Sequence, residues 1–242
     1  MNLWPFNSPK PTHSIKVDFH SHLIPGVDDG VHHVEDTLTI LKSFSELGYR
    51  KVITTPHIYP EVYPNTEEDL SHRYQKVLSE IDLANIEIEF ELAAEYFLHG
   101  ELLKKVQSKK RLLSFGESSF LLFETGFQHK PLVWDEIIFE LQVQGYRPVL
   151  AHPERYAYVS EDLDLVQKWR DQGLKMQLNI SSLLGLYGKN VQKTARELIR
   201  RKQVDFLCSD LHRLDQLKVF KQAQKNKLFQ DAALLVQNNN LL

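Results

Sequence analysis

Apolar positions along the chain alternate between two rhythms. Ile15-Lys16-Val17-Asp18-Phe19 has the period of a strand, and a loop rich in Pro25, Gly26, Asp28, Asp29 and Gly30 follows it. From Val34, apolar residues at Leu38, Leu41, Phe44 and Leu47 recur at helical spacing, with Gly48 placed to cap the helix. A second strand over 51–54 is cut off by Pro56, and Thr66 with Asp69 starts a helix that runs to about Ala84. Strand period returns over 86–93, where Ile86, Ile88, Phe90 and Leu92 alternate with Glu87, Glu89 and Glu91. Residues 120–123 are apolar throughout, as in a strand covered on both faces. Helices are then predicted over 133–144, 162–172 and 191–202, with strands over 148–151, 175–178 and 204–208 between and after them. A polar amphipathic tail ends in Asn238-Asn239-Asn240.

Repeated strand–helix units predict an α/β fold with a parallel sheet, open or closed. No repeat of fixed period and no linker divides the chain. The expectation is an N-terminal arm at 1–14, marked by Pro5, Pro9 and Pro11, and one domain over 15–242. With 242 residues, an α/β barrel fits in that single domain.

Composition narrows the function. Against 32 acidic residues stand 29 basic ones, a net charge of −3 with no basic block, so nucleic acid is not an expected partner. No apolar run approaches the roughly 18 residues of a membrane span, and the start lacks a secretory pattern, which makes a cytoplasmic address the expectation. The single cysteine, Cys208, excludes a disulfide framework and a four-cysteine zinc site. It closes an apolar strand and reads as a small buried hydrophobe. No phosphate-binding glycine loop, serine-nucleophile elbow or H-E-x-x-H motif occurs. The unusual count is histidine, at 11.

The placement of these histidines and of certain carboxylates matters more than their number. His20 and His22 follow the first predicted strand, His57 the second, Glu95 the third and Glu124 the fourth; His152 follows the next, and Asp210 and His212 the last. C-terminal ends of parallel strands converge on one face, where barrel enzymes place their sites. A histidine by itself is more often a surface or hydrogen-bonded residue, and His13, His32, His33, His72, His99 and His129 stay in that class. His20-x-His22 and Asp210-x-His212 differ, because alternate residues of an extended segment point the same way. Glu95 and Glu124 each end an apolar run, where a carboxylate is costly without a compensating cation. Mixed imidazole and carboxylate without thiolate suits Mn, Fe, Zn or Ni, with Mg also admissible. The number of candidates implies two or three ions, the arrangement that clamps both oxygens of a phosphoryl transfer. Three divalent ions against Asp29, Glu95, Glu124 and Asp210 would leave the site at about +2, attractive to a phosphate dianion.

At these residues the sequence resembles the polymerase-and-histidinol-phosphatase (PHP) superfamily. The resemblance rests on the run from Asp18 to Gly30 containing H-S-H-L-I-P-G-V-D-D-G, on Thr55-Pro56-His57 and Ala94-Glu95, and on Ala151-His152-Pro153-Glu154-Arg155-Tyr156 and Ser209-Asp210-Leu211-His212. It spans about residues 15 to 215 and is strongest toward bacterial tyrosine-protein phosphatases of capsule and exopolysaccharide operons. It implies a distorted, seven-stranded (β/α) barrel holding a trinuclear centre, commonly of manganese or iron. His20, His22, Glu95 and Asp210 would hold the first ion. Glu95 would bridge to a second completed by Glu124 and His152, and Asp29, His57 and His212 would hold the third. Arg155 matches the family's phosphate-clamping arginine, so Arg155, Asp210 and His212 are the expected catalytic set. A second family arginine lies a few residues past the last histidine, whereas here Arg213 follows His212 directly.

The implied reaction is attack by a metal-bridging hydroxide on phosphotyrosine of a protein, as on a bacterial tyrosine kinase's C-terminal tail. Tyr59, Tyr63 and Tyr156 are candidates to stack on the phenyl ring. Two alternatives stand: a small-molecule phosphatase (acting on histidinol phosphate, for example) or phosphodiesterase, and a metal-bound regulatory module without turnover.

Overall fold

The computed structural model describes residues 15–236 and 238–242, so the expected arm at 1–14 lies outside the described residues. Strands β1 (Val17–Asp18), β2 (Lys51–Thr54) and β4 (Glu89–Leu92) form one sheet in the order β1-β2-β4. A second sheet runs β3 (His57–Ile58), β5 (Glu95–Phe97), β6 (Phe120–Glu124), β7 (Arg147–Ala151), β8 (Lys175–Asn179) and β9 (Phe206–Cys208). Every pairing is parallel, as the strand–helix alternation predicts. The helices are α1 (Val34–Glu46), α2 (Glu67–Leu83), α3 (Gly100–Gln107), α4 (Trp134–Val143), α5 (Ala157–Glu161), α6 (Asp164–Asp171), α7 (Lys189–Arg200), α8 (Leu214–Ala223) and α9 (Lys227–Leu235).

Where seven strands of one barrel are expected, the described residues form nine strands in two sheets, because two chain tracks are interrupted. Thr55-Pro56 separates β2 from β3, where proline has no N–H to continue the ladder. Ala93-Ala94 separates β4 from β5, so the strand expected over 86–93 is shorter and has a continuation that its pattern did not reveal. Across the two breaks, Ala93 N–H donates to Thr54 O (2.8 Å) and Glu95 N–H to Pro56 O (3.1 Å). On the far side, Ser21 and Leu211 form a parallel bridge, with His22 N–H donating to Leu211 O (2.9 Å) and Asp210 N–H to His20 O (2.8 Å).

Side-chain alternation sorts the core into two layers. Val17, Phe19, Ile53, Leu122, Val149, Phe206 and Cys208 form an inner cluster with Phe115, whose ring stacks on Phe19 at 4.6 Å between centroids. The outward-facing neighbours, such as Val52, Leu121, Phe123, Leu150, Met176 and Leu178, join the larger cluster under the helices. That larger layer receives Ile40, Leu41 and Phe44 from α1, at the spacing read from the sequence. Thr66 caps α2 by accepting from Asp69 N–H (3.1 Å), as its motif predicts.

The polar tail packs on the body. Its Asn239 is fully buried, accepts from Leu207 N–H (3.1 Å) and donates to Leu207 O (2.8 Å) and Val17 O (3.0 Å). One amide thus ties β9 to β1, which share no ladder at that level. Replacing it leaves buried backbone groups unpartnered, at about 1–3 kcal/mol each. Asn239→Ala is therefore expected to lower unfolding free energy by about 2 kcal/mol or more, read from urea denaturation of variant and parent; an unchanged midpoint would show that the tie is dispensable.

Candidate metal centre

All nine expected ligand residues come together: most sit at or just past strand ends, His57 and Glu95 open β3 and β5 beyond the breaks in their tracks, and Asp29 lies in the loop before α1. His20 Nε2 lies 3.1 Å from Glu95 Oε2 and 3.3 Å from Asp210 Oδ1, and His22 Nε2 lies 3.4 Å and 3.6 Å from the same two atoms. His152 Nε2 is 3.3 Å from Glu95 Oε1 and 4.0 Å from Glu124 Oε2. Asp29 Oδ1 stands 3.5 Å from His57 Nε2 and 3.6 Å from His212 Nε2. Two donors each about 2.1 Å from a shared ion at near-tetrahedral or octahedral angles stand about 3–3.4 Å apart, the spacing seen at several of these pairs. His57 is also shared: its Nδ1 is 3.3 Å from Glu95 and 3.1 Å from Glu124. The donors therefore form overlapping groups, with His57 reaching Glu95 and Glu124 as well as Asp29, and His22 joining the Asp29 group.

An ion-pair network alone would leave this centre badly matched. His22 Nδ1 is held by Asp28 Oδ2 at 2.8 Å and His20 Nδ1 by Gln177 Oε1 at 2.8 Å, so each Nε2 faces carboxylate oxygens and requires a proton or a metal ion between them. His22 Nε2, His57 Nδ1 and Glu95 Oε1 are buried without a hydrogen-bond partner. Divalent ions fit this donor set, taking the place of imidazole protons between the donors.

The titration behaviour has the same cause. Burial and the neighbouring His57 oppose a charge on His22, but Asp28 and Glu95 outweigh them and lift it to about 9. His20 and His57 are likewise raised, with burial resisting and Glu95 the main attraction. Glu95 and Asp210 sit well below the usual carboxylate range: burial disfavours their charge, and the surrounding imidazoles more than reverse it. His212 is lowered to about 4 by burial and by His22, whose ring stacks on it at 3.9 Å between centroids. Its Nδ1 lies 3.0 Å from Asp210 O, leaving Nε2 free beside Asp29.

Local backbone makes these approaches possible. Gly30 folds the loop onto His22 so closely that a Cβ there would lie 2.3 Å from His22 O, and Gly30 N–H donates to Asp28 Oδ1 (3.0 Å). Asp28 also accepts from His57 N–H (2.9 Å), so one carboxylate fixes ligands from two strand ends. His152 and Asp210 occupy the left-handed region at φ 37° and 52°, a costly conformation for residues with a Cβ. Both turns aim a ligand inward directly after a strand.

A model of the capsular polysaccharide synthesis family CpsB/CapC matches residues 16–226. The chain belongs to that family. Among curated CpsB/CapC relatives, the tyrosine-protein phosphatase YwqE of Bacillus subtilis is 28% identical over 196 residues, 81% of this chain and 77% of that protein. The tyrosine-protein phosphatase CpsB of Streptococcus pneumoniae is 25% identical over 204 residues, 82% of this chain and 84% of that one. A crystal structure from work on YwqE of B. subtilis and CpsB of S. pneumoniae, described as metal-dependent tyrosine phosphatases, superimposes with a TM-score of 0.75 at 26% identity, covering 92% of this chain and 94% of that one. The lactonase Lmo2620 of Listeria monocytogenes shares the fold alone, at TM-score 0.53 and 10% identity.

Above the ligands this CpsB/CapC chain opens a cleft of about 440 Å³. Arg155 lines it, bonded through Nη1 to Asp210 Oδ2 (3.2 Å) and sandwiched by Phe127 and Tyr187, at 4.8 Å and 4.4 Å from the ring centroids. Tyr63 stacks on His57 and Tyr59 on Phe97, and all but the buried Tyr156 of the three sequence-nominated tyrosines line the cleft. Tyr156 instead donates nothing to the cleft and takes Thr125 N–H on its hydroxyl (3.3 Å). Arg213 also lines the cleft, exposed, with Nε 3.4 Å from Asp215.

Sequence reading missed the polar residues that hold the ligands. Gln177 Nε2 donates to Asn179 Oδ1 (2.9 Å), and Asn179 Nδ2 donates to Asp210 Oδ2 (2.6 Å). Glu154, buried, accepts from Asn179 N–H (3.0 Å) and Ser182 Oγ (2.7 Å). The available signal was Met176-Gln177-Leu178-Asn179, a strand whose alternate face is amide where its neighbours carry aliphatic side chains.

Two outcomes are expected. His20, His22 and His57 favour protons in the metal-free state, so ligation must displace them, and metal affinity should rise with pH up to about 9. Chelator competition should give a dissociation constant about 100-fold smaller at about pH 8.5 than at about pH 6.5 for each proton released; a flat profile would contradict the protonated imidazoles. Asp28→Asn should weaken metal retention about 10- to 100-fold with the fold intact by circular dichroism, measured as metal per chain after dialysis.

Proposed function

We propose that the chain is a metal-dependent phosphatase that hydrolyses phosphotyrosine on protein. The observation that carries this reading is the overlap of imidazole and carboxylate donor groups beneath an aromatic cleft containing Arg155. His20, His22, Glu95 and Asp210 would hold one divalent ion, Glu95 with Glu124 and His152 a second, and Asp29, His57 and His212 a third, most simply manganese. Such ions lower the pKa of a bound water to about 7 and neutralise charge on the transferring phosphoryl group. The barrel reading supports this arrangement: nine strands with two interrupted tracks make seven tracks, and the Ser21–Leu211 bridge lies where the ring would close.

This chain's own groups would do the rest. Arg155 offers a guanidinium to the phosphate oxygens, and Asp210 together with the rings of Phe127 and Tyr187 fixes its orientation. Tyr59, Tyr63 and Phe97 provide flat apolar walls for a phenyl ring and exclude water from it. His212, neutral at pH 7, keeps a lone pair toward the ligand groups and has no proton to give from Nε2. A phenolate with a parent pKa near 10 leaves with little protonation, which suits a site lacking an obvious acid.

The relatives' names and the family's link to capsular polysaccharide synthesis favour a phosphorylated tyrosine kinase tail as substrate, met in the cytoplasm. Among the described residues no helix is long and apolar enough to cross a membrane.

The test compares a phosphotyrosine peptide, a phosphoserine peptide and histidinol phosphate, after chelation and with Mn²⁺ restored. Metal-dependent turnover is expected on the phosphotyrosine peptide, falling by at least about 1,000-fold in Glu95→Asn and His152→Ala while the fold survives. Preference for histidinol phosphate would replace the substrate and keep the centre. Metal binding without turnover of any of them would make the chain a regulatory module.

A further inference from the structure

A second cavity, about 850 Å³, lies between α7 and the α5–α6 corner represented by Ser160 and Leu163. Lys189, Lys193, Arg196 and Arg200 line it at spacings of four, three and four, a single face of α7. All four are exposed. The one carboxylate lining the cavity, Glu197, is already engaged by Arg200 Nε (2.8 Å) and Arg201 Nε (2.9 Å). Among the described residues no carboxylate pairs with Lys189, Lys193 or Arg196, whereas other exposed cations such as Lys104, Lys130 and Arg201 do have such partners.

The cavity and the metal cleft share no lining residue but are lined by residues only two apart in the chain. Tyr187, which lines the cleft and stacks on Arg155, stands two residues before Lys189, at most about 7 Å along the backbone. A peptide with its phosphorylated side chain at Arg155 therefore has Lys189 within reach of its neighbouring residues, with Lys193 and Arg196 about 6 Å and 10 Å further along α7, in a chain whose net charge is −3. We propose that this groove is a substrate subsite that receives acidic residues flanking the phosphotyrosine. The inference rests on the phosphotyrosine reading and adds to it a selectivity for acidic sequence context. Three exposed contacts, each weak, together give about a tenfold preference.

The test uses the metal-loaded full chain with Lys189, Lys193 and Arg196 each replaced by Gln, and a charge-matched control with Lys42, Arg73 and Lys76 replaced by Gln, which line neither cavity. Substrates are p-nitrophenyl phosphate, a phosphotyrosine peptide flanked by glutamates, and the same peptide flanked by serines. The groove variant should lose about tenfold in kcat/KM on the acidic peptide, through KM, with the other two substrates unchanged and the control variant like the parent. Salt near 0.3 M should erase the preference in the parent. Equal loss on all substrates, no loss on the acidic peptide, or the same loss in the control would overturn the subsite. If the parent hydrolyses no aryl phosphate, the phosphotyrosine reading fails instead, and fluorescence anisotropy of the labelled glutamate-flanked peptide still judges the groove: about tenfold weaker binding by the groove variant is expected, and equal binding refutes it. Retention of anionic vesicles through these three residues, without any preference between peptides, would also overturn the assignment in favour of a lipid surface.

Discussion

Charge buried at the strand ends governs this structure. Glu95 and Asp210 are almost fully enclosed, and each carboxylate in such surroundings demands cations close by. The imidazoles of His20, His22 and His57 supply that demand as protons in the metal-free protein and would release it to divalent ions when these bind. The same site thus has two ways to remain electrically balanced, and the choice between them depends on pH and metal concentration. His212, kept neutral by burial and by the neighbouring His22, is already in the form a metal needs.

Holding so many donors at ligating distances requires rigidity that the ligands themselves do not provide. Asp28 orients His22 and the backbone of His57; Gln177 and Asn179 join His20 to Asp210; Glu154 anchors Asn179 from the turn that carries His152 and Arg155. Asp18, which burial pushes up to about 7, accepts from Ser209 N–H and Oγ and fixes the segment leading to Asp210. Two ligands sit in left-handed backbone, each at a cost of about 1–3 kcal/mol that these bonds offset. The apolar inner cluster below, from Val17 to Cys208, gives the polar layer a dry floor.

Much of this architecture was legible in the chain. The parallel strand–helix order and α1, α2, α4, α6 and α7 follow from periodicity and caps, since burial of one helical face or of both strand faces leaves a direct mark on residue type. Eight of the ligand candidates were legible because a carboxylate or histidine after an apolar strand has no packing reason to be there, and Asp29, in the loop before α1, was marked by the family motif. Elements with weaker marks were lost: the short β3 and β5 lie just past Pro56 and Ala93-Ala94, which interrupt the patterns, and α3, α5, α8 and α9 were not separated from the loops and tail around them.

By itself the sequence determined the fold class and the strand-end placement of eight donors, because each depends on local spacing, while the arginine after His152 was marked by resemblance to a family motif. Tertiary structure alone decided which donors share a group, with His57 reaching Glu95 and Glu124 as well as Asp29. It also separated Tyr156, buried in the core, from Tyr59 and Tyr63 at the cleft, and brought Asn239 from the polar tail to tie β1 to β9. Those facts depend on distances between residues remote in the chain, which are set by how the layers pack and leave no trace in the local period.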